Sequence, residues 1–196
     1  MDTGSGAVSP TTGRREEIFL AAAEMFWEKG YHATSMSDIA SAMNMRKASI
    51  YHHIQTKETL LYEMSISSMR HIREAAESVE DTDPERRLRA MIVRHVLALL
   101  ADRSKHATAL VELRSLSPVE RQEVVGLRDS YDALFDRAVA AVQAQHGRWP
   151  GISPRLVRLA LLGMLNWSVF WYSENGPEAA DTVGESFADI FLPPLG

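Results

Sequence analysis

The sequence predicts an all-α protein of about nine helices, with a three-helix N-terminal unit followed by a larger helical body. Three observations predict this. Apolar residues recur at three- and four-residue spacing along most of the chain. No stretch alternates with the period of two that a half-buried strand requires. Ser, Thr, Asn, Gly and Pro stand where such helices would begin and end. With 196 residues, 45% of them apolar, the chain has the length of one large or two small domains and enough apolar side chains for a proper core.

The opening "MDTGSGAVSPTTG" is small and polar, lacks the apolar core of a signal peptide, and is assigned over residues 1–12 to a disordered lead-in. Ile18, Phe19, Ala22, Met25 and Phe26 then form one stripe, closed by Gly30 as a C-cap. Met36, Ile39, Ala40 and Met43 form the next, preceded by Ser35-x-x-Asp38, an acidic variant of the capping box. Asn44 tolerates the left-handed backbone of a tight turn. A short third helix turns Ile50 and Ile54 inward, and Thr56 caps a fourth with Glu58 in its first turn.

Beyond an acidic turn at residues 78–85, Leu88, Met91, Ile92, Val96 and Leu99 mark another helix. Ser117-Pro118 opens a long one bearing Leu127, Tyr131, Leu134, Phe135, Ala138 and Val142. "HGRWPGISP" (146–154) is a loop by its Gly and Pro. Residues 155–173 are apolar almost all round and are expected to be buried on most sides. A final amphipathic helix spans 178–192. The longest apolar run, residues 159–171, falls short of the ~20 residues that span a bilayer. The expectation is a cytoplasmic protein without a membrane segment.

Net charge is −5, yet residues 1–57 balance at six basic and six acidic side chains, and the deficit lies beyond them. Between Asp38 and Glu58 there is no acid, and "RKASIYHHIQTK" (46–57) gathers cations, imidazoles and hydroxyls. An acid-free window in an acidic chain points to an anionic partner. Two short helices joined by a tight turn and braced by a first helix make a helix-turn-helix, here at about residues 35–54, whose second helix enters the major groove of double-stranded DNA. On that geometry Arg46 and Lys47 reach guanine edges or phosphates, and Ser49, Tyr51, His52 and Lys57 donate to phosphates. Ser35 and Ser37 open the crossing helix, whose free N–H groups attract phosphate.

Enzyme constellations are absent from the sequence: no Gly-x-Ser-x-Gly, no phosphate-cradling glycine loop and no His-Glu-x-x-His. No catalytic residue or cofactor is expected. Without cysteine, disulfides and thiolate metal sites are excluded. The seven histidines have no ligand spacing, and the adjacent His52 and His53 point apart on a helix, so no metal is expected.

Residues 21–61 resemble the DNA-binding domain of the TetR family of transcriptional regulators. The matches are Phe26, Gly30-Tyr31, Ala33-Thr34-Ser35, Asp38-Ile39-Ala40, Ser49-Ile50-Tyr51-His52-His53 and Lys57-Glu58. The resemblance implies a DNA-binding domain at 13–58, a ligand-binding and dimerisation domain at 59–196, and a homodimer on a palindromic operator. It implies repression that a small molecule relieves, although activation fits the residues equally. Departures occur where Asn44-Met45-Arg46 replaces the usual Gly-Val-Ser, removing a serine N-cap, and where Ala48 replaces a frequent glycine facing DNA.

Residues 112–135, 161–176 and 188–195 are similar to TetR-family regulators of lipid metabolism, which respond to acyl-CoA thioesters. A hydrophobic effector, acyl-CoA among the possibilities, would need an apolar tunnel lined by Met91, Leu113, Phe135, Met164, Trp167 and Trp171. Cations at its mouth would come from Arg70, Arg73, Arg114, Arg121 and Arg128. Asn166, polar in the middle of an apolar helix, would bond a thioester carbonyl or a neighbouring backbone group, and His95 lies on the apolar side of its helix, as a pocket residue or a satisfied core histidine. The same aromatic stripe suits a dimer interface, made in such proteins by the last two helices, where Gly163 lets backbones approach.

Overall fold

A computed structural model describes residues 10–193, with side chains from Gly13 onward; residues 1–9 of the expected lead-in lie outside them. Among the described residues there are nine α-helices and no strand. They are α1 (Pro10–Lys29), α2 (Met36–Ala42), α3 (Lys47–His53), α4 (Lys57–Glu77), α5 (Pro84–Ala101), α6 (Arg103–Val111), α7 (Pro118–His146), α8 (Pro154–Trp171) and α9 (Ala180–Phe191), with a 3-10 turn at Leu113–Ser115. The first helix thus takes in Pro10–Thr12, which sequence reading leaves in the lead-in.

The boundaries follow from local chemistry. Ser35 accepts from the Asp38 N–H at 3.2 Å while the Asp38 carboxylate accepts the Ser35 N–H at 2.8 Å, a reciprocal box that starts α2. Ser117 and Glu120 repeat the device at α7, with Pro118 at the first helical position. Asp83-Pro84 and Ser153-Pro154 start α5 and α8. Gly30 (φ 89°) and Gly147 (φ 65°) end α1 and α7 in left-handed backbone. Asn44 holds φ 53° in the turn between α2 and α3.

Helices α1 to α3 pack around Ile18, Phe26, Ile39, Ile50 and Ile54, all buried. From this unit α4 runs on into the body, where it meets α5, α6 and α7. At the centre, α5 also touches α7, α8 and α9, and its Leu88, Met91, Ile92, Val96 and Leu99 lose essentially all contact with water. Helix α9 lies close on α5 because Gly184 faces the Val93 backbone, where a Cβ would come within 3.3 Å of Val93 Cα.

Two features differ from the sequence reading. Helix α6 carries no apolar stripe; its buried residues are His106, Ala107, Thr108 and Ala109, small or polar groups that make no periodic signal. Helix α8 is not buried on most sides. Val157, Leu161, Leu165 and Val169 face the core, but Leu156, Leu159, Trp167 and Trp171 lie on the surface, with Trp167 63% exposed.

Candidate functional site

The α3 helix presents one face to solvent. Lys47, Ala48, Tyr51 and His52 are exposed on it, Arg46 is exposed at its start, and Ser49 is half-buried. Ile50 and Ile54 anchor the opposite face. Arg46 occupies the N-cap with extended backbone (φ −70°, ψ 141°) and its side chain caps nothing. Among the described residues, Arg46 and Lys47 make no ion pair, so their charge is available to a partner. The far end of α3 is fixed by Arg15 of α1, which donates to the His53 carbonyl at 2.6 Å and to both Glu63 oxygens of α4. Sequence reading misses Arg15, since nothing in its neighbourhood marks a contact 38 residues away.

Two expected DNA contacts have other employment. The Lys57 ammonium donates to the carbonyls of Tyr31 (2.9 Å) and Thr34 (3.2 Å) and sits 4.4 Å over the Tyr31 ring. It clasps α4 to the loop before α2, and a cation satisfied by carbonyls and a ring face has little left for phosphate. The Ser35 hydroxyl donates to Asp38 at 2.6 Å, and that bond, with the Ser35 N–H, holds the Asp38 carboxyl below its usual range. An ionised Asp38 already occupies the start of α2, so Ser35 shapes the helix and offers no free donor there. Ser37 is half-buried and its carbonyl accepts from the Ser41 hydroxyl.

In the body, a cavity of about 310 Å³ opens between α4, α6, α7 and α8. Met69, Ile72, Leu110, Leu159 and Leu162 give it apolar walls; Arg128, Tyr131, Asp132, Arg158 and Asn166 give it polar ones. A chamber of about 20 Å³ adjoins it, sharing Met69, Ile72, Leu110, Arg128 and Asn166 and adding Ser68 and His106. Arg158, 7% exposed, bridges two carboxylates of α7: its Nε donates to Asp136 at 2.9 Å and its Nη1 to Asp132. Burial raises the Asp132 carboxyl above its usual range against the pull of Arg158.

A hydrogen-bonded row borders this cavity. The Tyr131 hydroxyl lies 2.6 Å from His95 Nδ1, and His95 Nε2 lies 3.2 Å from Asn166 Oδ1. Burial drives the His95 imidazole down to about 4, so it is neutral at pH 7 and carries one N–H. With Asn166 offering its oxygen, that hydrogen sits on Nε2 and Nδ1 accepts from tyrosine. His95 is thus a satisfied core histidine.

Of the nine residues expected around an effector, only Asn166 lines this cavity, and its oxygen goes to His95 instead of a thioester or the backbone. Met91 is fully buried and borders a separate cavity of about 230 Å³ between α5 and α7. Phe135 is fully buried, against His95 and Tyr131. Leu113 and Met164 pack partly buried on the core, and Arg114 is exposed. Trp167 and Trp171 face solvent. Among the five expected cations, only Arg128 reaches the cavity. Missed entirely are Tyr131 in this role, Asp132 and Arg158. Arg158, set between Val157 and Leu159 in an apolar helix, was the available signal, because a buried guanidinium requires carboxylates nearby.

Among the described residues there is no cluster of metal-ligating side chains, and no helix is long and apolar enough to cross a membrane.

Comparison with known proteins places these features in context. Residues 18–64 match the bacterial regulatory proteins of the tetR family, and residues 81–195 match the tetracyclin repressor-like C-terminal domain. The chain is 25% identical over 190 residues to the HTH-type transcriptional repressor KstR2 of Mycolicibacterium smegmatis, covering 94% of this chain and 91% of the relative. The crystal structure of the TetR family transcriptional regulator PfmR from Thermus thermophilus superposes with a TM-score of 0.83 at 33% identity, over 91% of this chain and 98% of that one. AibR in complex with isovaleryl coenzyme A and operator DNA superposes with a TM-score of 0.78 at 26% identity, over 93% and 100%. A helix-turn-helix with an acid-free recognition face, joined to a cavity-bearing helical body, is thus matched along nearly its whole length, and the chain belongs to the TetR family of transcriptional regulators.

Proposed function

We propose that this protein is a ligand-controlled repressor that binds a palindromic operator as a homodimer and leaves it when a small hydrophobic molecule enters the body. The observation that carries the reading is the course of α4. Its first turn is clasped to the DNA-binding unit by Lys57, and Ser68, Met69 and Ile72 of the same helix line the two cavities. About fifteen residues of helix, roughly 22 Å, join the two places. A ligand that displaces the middle of α4 tilts its start, and with it the α3 face bearing Arg46, Lys47, Ala48, Ser49, Tyr51 and His52. Residues 13–58 are the DNA-binding unit on this reading, and 59–196 the effector and dimerisation body.

Dimerisation through α8 and α9 accounts for Leu156, Leu159, Trp167, Trp171 and Ile190, large apolar side chains left on the surface of these two helices. Gly163, with open space where a Cβ would stand, allows a second helix to approach. An isologous contact between these helices fixes the spacing of the two α3 helices. Acyl-CoA remains a candidate effector because the AibR complex contains isovaleryl coenzyme A. The cavity of about 310 Å³ favours a second candidate, a smaller molecule without the nucleotide.

The test is stoichiometric. Sedimentation of the full chain with a palindromic duplex from upstream of its own gene should give two protomers per duplex. A single bound protomer, or equal retention of unrelated DNA at moderate salt, contradicts the reading.

A further inference from the structure

Helix α7 sends Arg128 to the junction of the two chambers, and it lines both. Its Nη2 donates to the Ala109 carbonyl at 3.0 Å, and it makes no other hydrogen bond and no ion pair among the described residues. Burial presses its guanidinium below the usual arginine range, so the cation lies in surroundings that solvate it poorly. The nearest acid on the rim, Asp132, is held by Arg158. Asn166 of α8 also lines both chambers. Asn166 gives its oxygen to His95, which leaves its amide N–H groups without a partner. The cavity therefore offers N–H donors at its inner end and hydrocarbon along Met69, Ile72, Leu110, Leu159 and Leu162.

We infer that the effector is an amphipathic organic acid whose carboxylate binds Arg128 and Asn166 at the junction of the chambers while its hydrocarbon lies against the apolar walls. The inference rests on reading this cavity as the effector site. A guanidinium offers a carboxylate two parallel bonds, and a charge-assisted bond is roughly twice as strong as a neutral one. A ligand ending in methyl would take water from both side chains and offer their free N–H groups no acceptor. The carboxylate can belong to a free acid or to the far end of the acyl group in a thioester; both present the same chemistry to Arg128.

Isothermal titration calorimetry of the full chain with four probes tests this: hexanoate, hexanamide, adipoyl-CoA and hexanoyl-CoA. The expected result is about tenfold tighter binding of the carboxylate in at least one matched pair. Preference within the first pair names a free acid as the source, and within the second a carboxylated thioester. Arg128→Gln should level the preference and Arg128→Lys should keep part of it. If Arg128→Gln fails to fold, Asn166→Asp, which sets a negative charge beside the site, should level it instead. Equal affinities within both pairs overturn the inference and leave the effector reading standing. No binding of any probe overturns both.

Discussion

Arg46 stands at the N-cap of α3, a position where serine, threonine or aspartate would bond the helix's free N–H groups and where arginine cannot. The residue is explicable if it serves DNA at the expense of the fold. Arg46→Ser should raise stability by about 1 kcal/mol in a urea titration and weaken operator binding; a variant that gains both refutes the role. Lys47→Ala should weaken binding to all duplexes alike and lower the slope of log affinity against log salt by about 1, whereas an unchanged slope would remove Lys47 from the phosphate contacts. The two buried histidines make stability depend on pH. Burial lowers His95 to about 4 and His106 to about 3, whereas in the unfolded chain both take up protons near 6.5. Below 6.5 the unfolded state binds protons that the folded state refuses, so stability falls as pH falls. At about pH 5 the loss is roughly 2 kcal/mol for each. The raised Asp132 carboxyl acts in the opposite sense, gaining stability on acidification. A urea midpoint that stays level from about pH 7 to about pH 5 would contradict the burial of these imidazoles.

At the scale of elements, the turn between α2 and α3 depends on one backbone conformation. Asn44 holds φ 53°, which β-branched side chains resist, so Asn44→Val should cost about 1–2 kcal/mol, while Asn44→Gly should be tolerated. Equal melting points for the two variants would argue against the turn. Elements with periodic apolar faces and oxygen-bearing caps were legible in the sequence: α2 from Ser35 and Asp38, α7 from Ser117 and Pro118, the α2–α3 turn from Asn44. Helix α6 was not, because its inward face is made of His106, Thr108 and alanines. The exposed face of α3 was largely legible, since such a face advertises itself by charge and by the absence of acids. The cavity was not. Its walls come from four helices distant in sequence, and its polar members are recognisable only once Asp132, Asp136 and Arg158 meet. The likeness to acyl-CoA-responsive regulators implied a pocket at Trp167 and Trp171, with a dimer interface as the alternative, and their place on α8 turns them outward.

Across the whole molecule, the proposed function makes α4 the link between a DNA-reading unit and a ligand cavity, and assigns the exposed apolar side chains of α8 and α9 to a second copy of the chain. Trp167→Glu should convert the dimer to monomer in sedimentation and lose operator binding in step, with the monomer's helicity kept. Loss of effector response in an intact dimer would return Trp167 to the cavity. The central claim, that ligand and operator compete through one chain, is tested most directly by fluorescence polarisation. Labelled DNA from upstream of the protein's own gene is titrated at several salt concentrations, with and without acyl-CoAs and short carboxylic acids. Selective binding that weakens with salt and is released by one of these ligands is the predicted result. Binding no tighter than to unrelated DNA of the same length, with no change on ligand addition, would contradict it.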